Sequence, residues 1–187
     1  MEKYQDLFEE AVERTRKHGL HPPDVSYDPA LKITSEFREQ FPYRAQEVII
    51  GLRPQELLQC PLIHSLLLET IKDMLKTEVF FTLGWVWQED DGKAATMSRI
   101  DDDWISEALK SGPATPPHAW LTLPSMEIID LSIVSHLAIT NKKPESMGGV
   151  LMCHPDEFSN NLHHVPMLVG DDFLRRTGML REIMTLH

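Results

Sequence analysis

His118-Ala119-Trp120-Leu121-Thr122-Leu123, then Ile128-Ile129-Asp130-Leu131 after a short turn, is the stretch from which the fold is read. β-branched and aromatic residues dominate both runs, so they are predicted to be two strands of one hairpin. Side chains alternate along a strand, which puts His118, Trp120 and Thr122 on one face. A three-residue turn at Pro124-Ser125-Met126 sets Leu123 opposite Glu127 and Trp120 opposite Asp130. Asp130 is then a diagonal neighbour of His118 on the same face, roughly 7–8 Å away along the backbone. A two- or four-residue turn would carry it to the other face.

Upstream of the hairpin, residues 61–76 hold Leu62, Ile63, Leu66, Leu67, Leu68, Ile71, Met74 and Leu75, apolar nearly all round. That pattern predicts a buried helix. Pro61 suits its first position, where a missing N–H is no loss, so Cys60 falls at or next to the N-cap. Residues 78–87 read as a strand, 94–99 as its return, and 101–110 as a short helix. A loop with three prolines, 111–117, then leads into the hairpin.

The outer segments read more coarsely. Residues 2–18 form an amphipathic helix stopped by Gly19, and 35–41 a short helix ended by Pro42. Residues 133–139 fit a helix or a strand. Residues 150–153 read as a strand, 165–170 as an apolar segment and 171–186 as a C-terminal helix. Helices first, then strands in a meander, give an α+β class. We expect one domain over 1–187, with a helical N-terminal portion (1–53) and a core (54–187).

With 187 residues and 42% hydrophobic content, such a chain can bury a core without disulfide or metal staples. A net charge of −11 argues against a phosphate-binding surface, so no nucleic-acid partner is expected. There is no apolar signal region and no membrane-length run, which makes cytoplasmic residence the expectation. Two cysteines, Cys60 and Cys153, give no disulfide scaffold.

A cysteine at a helix N-terminus, a histidine on a strand and a carboxylate on the next strand suit thiol chemistry. The helix end and an adjacent imidazole stabilise a thiolate, and the imidazole carries the proton between thiol and leaving group. The carboxylate fixes the imidazole's tautomer, so Asp130 is expected to matter less to turnover than Cys60 or His118. The Cys60 N–H at the helix start suits a developing oxyanion. Gln55 and Gln59 are the nearest side-chain amides for a second donor, and Trp120 is a candidate for substrate contact. No cofactor is needed.

Leu58-Gln59-Cys60, His118-Ala119-Trp120-Leu121 and Ile128-Ile129-Asp130, in that order and spacing, resemble the transglutaminase-like branch of the papain-like cysteine hydrolases. The resemblance covers roughly residues 54–135. It implies a nucleophile helix packed on an antiparallel sheet and a Cys-His-Asp triad acting through a thioester on a protein, peptide or other amide. Family activities run from amide hydrolysis to acyl transfer onto amines. Here Leu58 replaces a frequent glycine and Pro61 follows the cysteine, features that also fit an inactive relative serving as a protein-binding module.

Each residue has a plainer reading. Cys60 can be a small core residue, His118 an ordinary strand histidine and Asp130 a turn former. Trp120 more often packs than binds, and His64, on Cys60's helix face, reads as a partly buried structural histidine. Cys153-His154 and His163-His164 lack the spacing of zinc ligands, so no metal is expected and adjacency by chance suffices.

Overall fold

The computed structural model describes residues 3–53, 56, 59–90, 93–112, 115–158 and 162–179. Its elements are α1 (Tyr4–Lys17), α2 (Ser35–Ile49), α3 (Cys60–Leu75), β1 (Phe80–Asp90), β2 (Lys93–Met97) and α4 (Asp102–Ser111). They continue with β3 (His118–Thr122), β4 (Ile128–Asp130), α5 (Ile133–Thr140), β5 (Leu151–Cys153), β6 (Leu162–Val169) and α6 (Asp172–Arg176). The class is α+β, with a curled antiparallel sheet.

Long β1 is the sheet's spine. Its first half pairs with β3 (Phe80 opposite Thr122) and its second half with β2, while β6 runs along its other edge. β4 and β5 follow β3 outward. The β1–β6 register shifts between Leu83 and Gly84. Pro166, opposite Gly84, has no ladder donor and sits where the regular pattern breaks. A Cβ on Gly84 would lie 2.1 Å from the Val165 carbonyl oxygen and 2.7 Å from the Trp120 ring, so only glycine fits there.

The hairpin has the expected register. Leu121 faces Ile129 and Thr122 faces Ile128, and the Leu123 N–H donates to the Glu127 carbonyl at 2.9 Å. Met126 closes the three-residue turn with φ of 66°, the left-handed position such turns require. Both faces of β3 are covered, and all five of its residues are buried. Ala119 and Leu121 share a core with Ile63, Leu67 and Ile71 of α3. Trp120 shares one with Tyr4 and Phe8 of α1 on the opposite face. Burying a leucine- or phenylalanine-sized side chain stabilises by roughly 1.5–3 kcal/mol, so these two layers hold the strand that carries His118.

Two boundaries differ from the sequence reading. Pro42 does not end α2, which continues to Ile49. The bond that Pro42 cannot make to Arg38 costs about 3 kcal/mol, and burial of Phe37, Phe41 and Ala45 along one stripe offsets it. After β6, a helix spans Asp172–Arg176, Gly178 (φ 78°) interrupts it, Met179 is again helical, and residues 180–186 of the expected helix lie outside the described residues. Segment 133–140 is helical. No helix among the described residues is long and apolar enough to cross a membrane.

Candidate active site

Cys60 is the first residue of α3, with Gln59 as N-cap and Pro61 behind it. His118 is the first residue of β3, and Asp130 the last of β4. The fold brings the three together. Cys60 Sγ lies 3.3 Å from His118 Nδ1, and His118 Nε2 lies 2.7 Å from Asp130 Oδ2. Asp130 reaches the imidazole because the three-residue turn keeps both on one face.

Burial alone would raise the thiol's pKa. The charge and hydrogen bond of His118, helped by His136, outweigh it and bring Cys60 down to about 6. Burial would likewise discharge His118, yet the negative charges of Asp130 and the thiolate hold it up to about 10. Between those values the pair is a thiolate and an imidazolium. Asp130 is buried too, but its imidazole neighbours keep its carboxyl well below the usual range.

Asp130 is the hub. Oδ2 accepts from His118 and also from His164 Nε2 at 2.9 Å. Oδ1 accepts from the backbone N–H groups of Ser132 (3.0 Å) and Ile133 (2.9 Å), which caps the start of α5. The Ser132 hydroxyl stands between the carboxylate and the thiol, 3.2 Å from Oδ1 and 3.1 Å from Sγ. One O–H serves one acceptor at a time, so this proton follows the charge on sulfur.

Three histidines beyond the triad frame the site. His136, half-buried one turn into α5, has Nδ1 4.0 Å from Sγ and 3.0 Å from the Ser132 carbonyl. Its hydrogen bond to the thiolate raises its pKa. His164 is fully buried, its pKa is lowered by burial, and its neutral ring donates Nε2–H to Asp130. Among the described residues its Nδ1 has no hydrogen-bond partner. His164 therefore contacts the site, while its neighbour His163 stacks on Trp87 with ring centroids 4.1 Å apart. Ligand atoms of His118, Asp130 and His164 all lie within 4.8 Å of one another, a spacing a metal could also use.

His64 keeps its structural reading. Its Nδ1–H donates to the Cys60 carbonyl (2.6 Å), and its Nε2 accepts from the Leu131 N–H (3.0 Å), tying α3 to the end of β4. Burial pushes it down to about 4, so it is neutral and its 3.9 Å approach to Asp130 is no ion pair. A group with a depressed folded pKa contributes stability above its unfolded pKa and loses it as pH falls. Between about pH 6.5 and 4 the wild type should therefore lose about 3 kcal/mol more than His64→Gln, which makes both bonds without titrating. Urea midpoints of the two proteins across that range are the measurement; parallel curves would show that His64 is not held neutral.

The surroundings of Trp120 fit its packing reading. It is fully buried, and its indole N–H donates to the Tyr4 hydroxyl at 2.7 Å. Gln59 caps α3 without a side-chain cap bond, and Gln55 lies outside the described residues. Pro61 carries no N–H, so the first turn of α3 lacks a donor at that position. Neither Cys60 nor Cys153 is in a disulfide. Comparison of the chain with protein-family models, curated proteins and solved structures finds no match.

Proposed function

We propose that this protein is a thiol-dependent hydrolase or acyltransferase, with a transglutaminase-like core, that acts on an amide or peptide bond through a thioester. The observation that carries this reading is the contiguous line from Cys60 Sγ through the His118 ring to Asp130, with the thiol at a helix start. The thiolate attacks the carbonyl carbon as the C=O pair moves to oxygen, beside the positive N-terminal end of α3. Collapse breaks the C–N bond while His118 Nδ1–H gives its proton to the departing amine. His118 then takes a proton from water or an acceptor amine, which attacks the thioester and restores the thiolate. Asp130 stays ionised and holds the ring.

A second reading, a binding module that no longer turns over, is favoured by one observation: Cys60 is only 8% exposed. A third, a metal centre on His118, Asp130 and His164, is favoured by their spacing. An electrophilic acyl probe followed by peptide mass spectrometry separates the three. The enzyme reading expects an adduct on Cys60, with a labelling midpoint near pH 6 and no effect of chelator. Labelling of Cys153 alone supports the binding module. Chelator-induced loss of fold supports the metal.

A further inference from the structure

We infer that the apolar cavity between α2, α3 and α5 receives a large apolar group on the acyl side of the bond that Cys60 attacks; the inference rests on the thiol-enzyme reading above. Cys60 opens α3 and Ser132 caps α5, and the two side chains touch at 3.1 Å. Both helices run on from that contact, and the cavity lies between them. Its wall includes Ile63, one turn beyond Cys60, and Ser135, one turn beyond Ser132. One helical turn is about 5.4 Å, so the end of the cavity marked by Ile63 and Ser135 lies about one turn from the thiol, within the span of the substituent on a carbonyl bonded to Sγ. Leu67, one turn further along α3, lengthens the floor in the same direction.

The volume of about 670 Å³ falls in the range of small-molecule sites. Ile63, Leu67 and Phe41 are buried on the floor, while Met147 and Val150 are exposed at the rim. The Ser135 hydroxyl accepts from the Gly148 N–H, and among the described residues the charged one on the lining is exposed Arg38. A cationic acyl group would be desolvated there without a partner and an anionic one would meet only the exposed Arg38, whereas a fatty acyl chain or a bulky apolar side chain needs no partner. Both sources share this chemistry.

The test uses p-nitrophenyl acetate, p-nitrophenyl octanoate and the p-nitrophenyl ester of N-acetylphenylalanine on the whole chain. With each, the Sγ–C bond forms as the C–O bond to nitrophenolate breaks, and mass spectrometry locates the S-acyl group. Rates are divided by those of glutathione, which removes the esters' intrinsic reactivity. The expected result is a normalised preference over acetate of about tenfold or more for octanoate, phenylalanine ester or both. The favoured ester identifies an acyl chain or a peptide side chain as the source. Ala45→Phe, which fills the cavity, should abolish the preference and leave the acetate rate unchanged. Ile49→Trp, at a half-buried rim position, should do the same if the first variant does not fold. A preference that survives both variants, or none over glutathione, overturns the cavity assignment alone. Failure of every ester to acylate Cys60 overturns the thiol-enzyme reading and the cavity assignment with it.

Discussion

His118→Ala should move the ionisation midpoint of Cys60 from about 6 to above the ordinary thiol value, and Cys60→Ala should abolish thioester formation altogether. The imidazolium is what outweighs burial; without it, desolvation leaves the thiol protonated at neutral pH. The midpoint is the decisive readout, more so than a labelling rate. A thiol with a higher pKa has fewer thiolates, but each is more nucleophilic, so the two effects partly cancel at pH 7. Turnover has no such compensation, because His118 also protonates the leaving group; each variant should lose about 10⁴-fold or more, and the double variant little further. Thiolate absorbance and labelling against pH, both in a Cys153→Ser background, are the measurements. A His118→Ala midpoint still near 6 would transfer the role to His136, 4.0 Å from the same sulfur.

That Cys60, His118 and Asp130 lie together was legible in the sequence for local reasons. Pro61 and the all-round apolar run placed Cys60 at a helix start, and turn arithmetic over Leu123 to Glu127 put His118 and Asp130 on one face. Both depend on residues close in the chain. His164 depends on β6 lying along β1, with Val86 opposite His164, and neither strand's composition specifies that partner. His136 was hidden by ambiguity: Ile133-Val134-Ser135-His136-Leu137 is apolar enough for strand or helix, and only the helical form turns His136 toward Ser132 and the thiol. Asp130 capping the backbone of Ser132 and Ile133 selects that form. Pro42 was misread in the opposite sense, because the buried stripe of Phe37, Phe41 and Ala45 overrides a local helix breaker.

Asp130 should prove to be more than a modest tuner of His118, the lesser role its sequence position suggests. Asp130→Ala removes a fully buried acceptor from the rings of His118 and His164, the N–H groups of Ser132 and Ile133, and the Ser132 hydroxyl. It also takes from the His118 cation the larger of its two counter-charges, leaving only the Cys60 thiolate, and breaking such a buried pair typically costs about 3–5 kcal/mol. That is a large part of the roughly 5–15 kcal/mol stabilising a domain, and at about 2–4 °C per kcal/mol the melting temperature should fall by roughly 6–20 °C. Asp130→Asn separates structure from chemistry. Its oxygen can still cap Ser132 and Ile133, while its amide, now a donor, faces His118 Nε2. The ring then carries its proton on Nδ1, pointing at sulfur, and can no longer take the thiol's proton. Loss of about 10⁴-fold in turnover follows from such a wrong tautomer, with most of the stability kept. The acid side gives a further sign check. Asp130's carboxyl is held well below its ordinary value, so its contribution to stability is complete above about pH 4 and is lost as pH falls further. The asparagine variant should lack that acid limb. Calorimetry against pH and single-turnover kinetics of both variants are the test, and an alanine variant as stable as the wild type would show that Asp130 is not the hub of the fold here.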